Sequence, residues 1–228
     1  MKTALRSKNV LTPDGMKDAA IVIEDGIIRD VLKNPVDIEF EMTDYGSLVI
    51  MPGLIDTHVH INEPGRTEWE GFETATKSAA AGGITMLVDM PLNSSPVTTT
   101  VKEFNKKTEA AKNKLYVDCG FYGGLIPGNI KELEGLIRNG VFGLKAFMVD
   151  SGIEEFPFVN ENDLRKALSI ISGYEIPLLV HAEIDCGIEK INGYDEFSYD
   201  SFLSKRPDEW EIKAIELLIK LCREFNFH

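Results

Sequence analysis

Histidine and cysteine are both scarce in this chain, which has four histidines and three cysteines among its 228 residues. Cys119, Cys186 and Cys222 are odd in number and widely spaced, so the sequence has neither a disulfide framework nor the paired spacing of a zinc ribbon. No apolar run approaches the ~20 residues that span a bilayer, and the first residues lack the apolar core of a signal peptide. We therefore expect a soluble cytoplasmic protein.

The chain also lacks an excess of positive charge. It has 24 Lys and Arg against 37 Asp and Glu, which gives a net charge of −13 and a pI near 4.8. Because a protein of this charge is repelled by nucleic acid and by anionic membranes, we expect neither as a partner. A chain of this length can bury a sizeable core and can hold one large or two small domains.

Two regions with different patterns follow one another along the chain. Residues 1–50 are predicted to form β-strands, with a hairpin turn at Asp25-Gly26 between residues 20–24 and 27–31. From residue 51 onward strands alternate with helices, which predicts a parallel sheet with helices packed outside it. The ends of five predicted strands are expected to converge, near His58, Asp89, Tyr122, Phe147 and His181.

The sequence predicts where helices begin and end at several places in the second region. Asn129 is predicted to cap a helix over residues 130–138, with Glu132 three residues later and Gly140 just past the end. A long polar loop is predicted after His181, and it leads to a last helix over residues 209–225.

The length of the second region leaves two architectures open. A (β/α)₈ barrel takes roughly 250 residues, whereas about 178 residues follow residue 50. The sequence therefore predicts either an incomplete barrel of about five βα units or a five-stranded, doubly wound sheet. The residues at the strand ends favour the barrel.

Two of the four histidines stand two residues apart at the end of a predicted strand, in the segment MPGLIDTHVHINEPG of residues 51–65. Side chains two residues apart in a strand point the same way, so His58 and His60 are expected to aim at one point. Metal ligands at the C-terminal end of a barrel strand form a common catalytic arrangement. An exposed pair on a sheet face, or a chance spacing, is the alternative, and the scarcity of histidine favours the metal site.

Two further residues stand at the predicted ends of the fourth and fifth strands, Lys145 and His181. An ammonium group has no acceptor and cannot bind a metal, but reaction with carbon dioxide gives a carbamate whose two oxygens can bridge two metals. The alternatives are a lysine that extends out of the sheet edge and a core histidine with an ordinary hydrogen-bond partner. The combination with His58 and His60 favours a shared metal site.

Several motifs in a fixed order carry a resemblance to a known family. They lie at residues 51–65, 66–72, 79–85, 88–94, 143–147, 179–183 and 206–211. Together they resemble the cyclic amidohydrolases, the group of dihydroorotases, hydantoinases and allantoinases, and most closely the N-terminal half of the allantoinase branch.

The resemblance implies a metal-dependent (β/α)₈ TIM barrel, incomplete here, over residues 51–228, and the N-terminal part of a small β-sandwich over residues 1–50. It also implies two divalent metals, with zinc expected first and cobalt, manganese, iron or nickel as alternatives. His58 and His60 would bind one metal, His181 the other, and carbamylated Lys145 would bridge them. A fourth histidine ligand and the general-base aspartate are expected beyond residue 228. His228 resembles the residue that opens the sixth strand rather than a ligand.

One position separates the branches of this group. Dihydroorotases have an arginine two residues after the His-x-His pair to grip a carboxylate, whereas this chain has Asn62. Hydantoinases typically lack the NEPGR and WEGF segments present here. Allantoin is neutral, which suits amide partners such as Asn62 and Asn93, although both asparagines could instead cap loops through their own backbones.

We therefore expect hydrolysis of a small cyclic amide, allantoin to allantoate. A hydantoinase or dihydropyrimidinase, a dihydroorotase-like enzyme, a non-catalytic homologue that acts through protein contacts, and a ligand-binding module remain the alternatives. Residues 1–228 alone are expected to be inactive and unstable as a monomer, because an open strand edge and apolar helix faces would be exposed. A homo-oligomer or the C-terminal half of the barrel would have to cover them.

Overall fold

The computed structural model describes residues 1–33, 39–187, 195 and 197–227. It divides the chain into two compact units, Met1–Leu54 and Ile55–His228. His228, which from the sequence resembles the residue that opens a sixth strand, lies outside the described residues. None of the described helices is long and apolar enough to cross a membrane.

The first unit is a five-stranded sheet in the residues that the structure describes. Its strands are β1 (Lys2–Thr12), β2 (Gly15–Glu24), β3 (Ile27–Lys33), β4 (Met42–Asp44) and β5 (Val49–Ile50). The order is β3-β2-β1-β4, with β5 also paired to β1. The predicted hairpin is confirmed: β2 and β3 are antiparallel, and Asp25 and Gly26 have φ of 53° and 78°, the left-handed conformation that a two-residue turn requires.

The second unit alternates strands and helices. Its strands are β6 (Leu54–Val59), β7 (Ile84–Asp89), β8 (Asp118–Phe121), β9 (Gly123–Gly124), β10 (Leu144–Phe147) and β11 (Leu178–His181). Its helices are α1 (Phe72–Ala81), α2 (Val101–Ala111), α3 (Ile130–Arg138), α4 (Glu161–Ile171), α5 (Tyr199–Ser204) and α6 (Asp208–Phe225).

Strand order in this unit follows chain order. One three-stranded sheet runs β6-β7-β8 and another runs β9-β10-β11, with parallel pairing of β7 to β8, β9 to β10 and β10 to β11. A doubly wound sheet reverses its strand order near the middle, whereas a barrel winds in one direction. The observed order is therefore that of a barrel wall.

A seam at Tyr122 separates the two sheets of the second unit. The Tyr122 amide donates to the Asp89 carbonyl at 2.9 Å, and the Gly123 amide donates to the Gly143 carbonyl at 3.0 Å. The Phe142 amide also donates to the Phe121 carbonyl at 2.8 Å. Tyr122 is thus attached to the first sheet, Gly123 to the second, and the Phe142–Phe121 bond joins the two sheets.

Helices pack on the outside of these strands through apolar faces. The largest buried cluster joins β10 with the inner faces of α3, α4 and α6, including Leu133, Leu144, Leu164 and Leu221. Burial of apolar surface in such a cluster stabilises the unit by about 25 cal/mol per Å². It lies on the helix side of the strands and holds the strand ends in place.

Two helix predictions are corrected by the structure. Asn129 precedes α3, but its side chain does not cap that helix; its Oδ1 accepts from the Ile126 amide and its Nδ2 donates to the carbonyls of Thr99 and Gly124. The side chain is buried against β9, where these partners satisfy it. The predicted polar loop after His181 also contains a short helix, α5, which Ser198 caps.

Candidate metal centre

His58 and His60 lie together at the C-terminal end of β6. Their ring centroids are 5.5 Å apart, with the ring planes tilted by 45°. The alternation of side chains along an extended strand places residues two apart on the same side, so the spacing in the sequence produces this pair directly.

A buried ion pair holds the backbone just after His60. The Lys107 ammonium lies 2.5 Å from Asp89 Oδ2, and the side chains are 2% and 0% exposed. Asp89 Oδ1 accepts from the Ile61 amide at 2.7 Å, and Lys107 donates to the Met90 carbonyl at 3.1 Å. Burial raises the pKa of Asp89 to about 6, although Lys107 acts in the opposite direction. The end of β6 is therefore fixed to the end of β7 by buried polar contacts.

The loop after His60 packs closely against the loop after β7. The Ser95 amide donates to the Pro64 carbonyl at 2.8 Å. Gly65 has φ of +92°, and a Cβ there would lie 2.2 Å from the Ser95 carbonyl oxygen. Only glycine fits both the left-handed backbone and this approach. The Pro-Gly turn in the sequence thus brings these two loops together beside the histidines.

Lys145 and His181 are brought together on the neighbouring strands β10 and β11, where Phe147 pairs in register with His181. Phe147 contacts both residues: the Lys145 ammonium lies 4.9 Å from its ring centroid, and the His181 ring stacks on it at 4.9 Å with an interplanar angle of 10°. The Lys145 residue is 5% exposed, so it does not extend into solvent. The sequence marked Phe147 as a strand end but not as a contact of Lys145 and His181, because an aromatic residue in an apolar strand is ordinary core.

The electrostatics connect the His58–His60 pair to Lys145. Burial lowers the pKa of His60, and the positive charges of His58, Lys145 and Lys107 lower it further. Burial also lowers the pKa of Lys145. Both shifts favour the neutral forms, which are the forms with a free lone pair on nitrogen.

His181 has a carboxylate partner that the sequence analysis did not identify. Its Nε2 lies 2.7 Å from Glu183 Oε1, and Arg206 Nη1 lies 3.1 Å from each oxygen of the same carboxylate. Glu183 stands two residues after His181, so the i, i+2 rule that found the histidine pair could have found it. The contribution of Arg206, 23 positions further on, has no local signal.

The two asparagines lie in the loops around the histidine pair. Asn93 Nδ2 is 3.2 Å from His60 Nδ1, and the Asn93 carbonyl accepts from Arg66 Nη1 at 3.0 Å. The Asn62 amide donates to the Glu70 carbonyl at 3.0 Å, and the Asn62 carbonyl accepts from the Arg66 amide at 2.9 Å. Asn93 therefore contacts a predicted ligand, and Asn62 closes its loop through its backbone.

The donor set suits borderline transition metals such as zinc. Within the described residues there is no group of three or more His, Cys, Asp or Glu side chains placed to hold a metal. The donors brought near one another are imidazoles and a buried amine. Neutral imidazoles are good zinc ligands, and a buried amine with a lowered pKa is able to react with carbon dioxide.

Residues 49–219 match the amidohydrolase family, which is most of the chain. This chain belongs to the amidohydrolase family. Amidohydrolases generally use divalent metals, in keeping with the donor set. The match also implies a TIM-barrel-type α/β fold for the second unit, in agreement with its strand order.

Allantoinases are among the most similar curated amidohydrolases. The mitochondrial allantoinase of Aquarana catesbeiana is 46% identical over 226 residues, which cover 98% of this chain and 47% of that protein. The allantoinase of Arabidopsis thaliana is 47% identical over 228 residues, covering 95% of this chain and 45% of that protein. The chain thus spans about half the length of the curated relatives that it matches.

Solved amidohydrolase structures agree on the fold. The L-hydantoinase (dihydropyrimidinase) from Arthrobacter aurescens superposes with a TM-score of 0.86 at 29% identity, over 99% of this chain and 51% of that one. A D-hydantoinase from Bacillus sp. AR9 superposes with a TM-score of 0.76 at 24% identity, over 99% of this chain and 50% of that one. The second similarity shows the fold alone.

Proposed function

We propose that the protein hydrolyses the ring amide of allantoin and releases allantoate. The proposal rests on the His58–His60 pair and on a buried Lys145 that lies close enough to it for its positive charge to lower the pKa of His60. Sequence identities of 46% and 47% to allantoinases, against 29% to the L-hydantoinase, support allantoin over a simple hydantoin.

His58 and His60 would hold one divalent metal and His181 a second, and carbamylated Lys145 would supply oxygen ligands to them. These residues would thereby supply a water molecule of lowered pKa and a polarised ring carbonyl when metal is bound. Zinc is the first candidate, and cobalt, manganese, iron and nickel suit the same donors.

The chain prepares Lys145 for this role through burial. The unprotonated amine attacks the carbon of carbon dioxide, a nitrogen–carbon bond forms, and one proton leaves to solvent. The product is a carbamate of charge −1 in place of an ammonium of charge +1. Because burial lowers the pKa of Lys145, the unprotonated amine is more abundant than in an exposed lysine, which favours this reaction.

The arginine nearest to the histidine pair in sequence supports a neutral substrate. Dihydroorotate carries a carboxylate, and a free guanidinium group is the partner that binds a carboxylate through two parallel hydrogen bonds. The Arg66 guanidinium group already has partners within the protein. It donates to the Asn93 carbonyl, its Nη2 lies 3.4 Å from Glu155 Oε2, and its Cζ lies 5.4 Å from the centroid of the Trp69 ring. We propose that Asn62, at the position of the dihydroorotase arginine, faces a neutral ureido group.

The test compares substrates with the full-length protein loaded with zinc in bicarbonate buffer. Allantoin, hydantoin and dihydroorotate are supplied separately, and the opened product is measured. We expect allantoate to form fastest. Preference for hydantoin or dihydroorotate, or no turnover by protein that carries both zinc ions and the carbamate, would contradict the proposal. Lys112→Ala, a change at an exposed lysine, serves as the control for Lys145→Ala, which is expected to be inactive.

A further inference from the structure

Glu183 is a buried carboxylate next to a proposed ligand. It follows His181 by two residues at the end of β11, and it is 8% exposed. Its Oε1 lies 2.7 Å from His181 Nε2. The proposed chemistry does not otherwise use this group, and burying a carboxylate is costly unless it is paired.

Arg206 supplies the compensating charge. Its Nη1 lies 3.1 Å from both oxygens of Glu183, and it stands just before α6. The backbone is fixed as well, because the Ile184 amide donates to the carbonyl of the buried Trp210 at 3.1 Å. Glu183 is therefore held from two sides, by its side-chain partner and by the attachment of its segment to α6.

The contact with Glu183 determines which tautomer the neutral His181 ring adopts. A carboxylate only accepts hydrogen bonds, so the proton of the neutral imidazole resides on Nε2 and the lone pair resides on Nδ1. Phe147 stacks on the ring at 4.9 Å with an interplanar angle of 10°, which restricts the ring plane. Carboxylate and aromatic ring together leave His181 one orientation and one free nitrogen.

We propose that Glu183, held by Arg206, is a positioning residue that presents Nδ1 of His181 to the second metal. The proposal rests on the proposed metal site. Partners of this kind raise the affinity of a histidine ligand by fixing its tautomer and ring orientation, typically 10–100-fold. Only the metal bound by His181 should depend on Glu183, because the His58–His60 pair has different neighbours.

The test measures stepwise affinity for Co²⁺ by competition with a chelator, using the full-length protein in bicarbonate buffer. Glu183→Leu is expected to weaken one of two metal equivalents by roughly 10–100-fold and to leave the other unchanged. Glu183→Gln keeps an acceptor oxygen and should lose less. Arg206→Met should lie between wild type and Glu183→Leu.

Arg165→Met is the matched control, because Arg165 on α4 pairs with Glu161 on the same helix and with Glu224 on α6, and not with a proposed ligand. It should leave both equivalents unchanged. If Glu183→Leu, Glu183→Gln and wild type bind both equivalents equally, or if both equivalents weaken together in line with lost folding, the positioning role is wrong while the proposed function stands. A wild-type protein that binds no metal would overturn the proposed function and this role with it.

Discussion

The side-chain amide of Asn93 lies 3.2 Å from Nδ1 of His60. Asn93 was predicted from sequence to bind substrate, and the structure places it against a proposed metal ligand. The oxygen and nitrogen of an amide are interchangeable by a flip. With Oδ1 turned inward, Asn93 would accept the proton of Nδ1 and so fix the orientation of the His60 ring.

Replacement of Asn93 distinguishes a role in substrate binding from a role in orienting the proposed metal ligand His60. Its φ of 76° makes glycine the replacement that removes the side chain without straining the backbone. We expect Asn93→Gly to weaken the metal equivalent held by His58 and His60 roughly 10-fold, and Asn93→Asp to retain affinity because it keeps an acceptor. Asn113→Gly, at an exposed asparagine with φ of 60°, is the control. A higher KM for allantoin with unchanged metal affinity would instead assign Asn93 to the substrate.

Carbamylation of Lys145 should depend on both bicarbonate and metal. With ¹³C-labelled bicarbonate, the zinc-loaded protein is expected to show one carbamate carbon signal by NMR, and Lys145→Ala is expected to lack it. Chelation of zinc should diminish the signal, since the metals stabilise the carbamate. A zinc-loaded wild-type protein with unmodified Lys145 would contradict the bridge and leave a single metal on His58 and His60.

The buried Asp89 should give stability a specific pH dependence. Its pKa is about 6 in the folded protein against 3.8 ordinarily, so the folded state binds the proton more tightly. This contribution to the free energy of unfolding is fully present below pH 4 and is lost as pH rises to about 6, by about 3 kcal/mol. Urea unfolding of wild type and Asp89→Asn across pH 4–7.5 measures it. Parallel curves for the two proteins would show that Asp89 does not titrate in this range.

Gly65 should tolerate no side chain. Alanine there adds a left-handed strain and a Cβ 2.2 Å from the Ser95 carbonyl oxygen, so we expect a loss of about 2–4 kcal/mol in the free energy of unfolding. Gly128→Ala has the same strain, with φ of +87°, but no atom within 4 Å, and should cost about 1 kcal/mol. Thermal and urea unfolding compare the two variants. Equal losses would mean that the loop moves aside freely.

Periodicity and turn chemistry predicted the framework of the second unit because those signals are local. The Asp25-Gly26 turn, the strand at β7 and the helix at α3 all depend on residues within a few positions of one another. The Asn129 cap was wrong for the opposite reason: the side chain found better partners on Thr99 and Gly124, which a local pattern does not reveal.

The same distinction applies to the site. His58 and His60 could be paired from their spacing, and Lys145 and His181 from their places in neighbouring predicted strands, although Lys145 is the second residue of β10 and not its last. The partners that fix them could not, since the ion pair of Asp89 with Lys107 and the pair of Glu183 with Arg206 join residues 18 and 23 positions apart. Such contacts depend on how helices return to the sheet, and single-sequence patterns do not contain that information.

The two groups of proposed ligands lie on different sheets, one on each side of the seam at Tyr122. His58 and His60 extend from the sheet β6-β7-β8, whereas Lys145 and His181 belong to the sheet β9-β10-β11. The backbone hydrogen bond from the Phe142 amide to the Phe121 carbonyl joins the two sheets, and the chain itself passes from β8 through Tyr122 into β9. Substitutions that bend one sheet relative to the other are therefore expected to change the distance between the His58–His60 pair and Lys145 without altering a single proposed ligand.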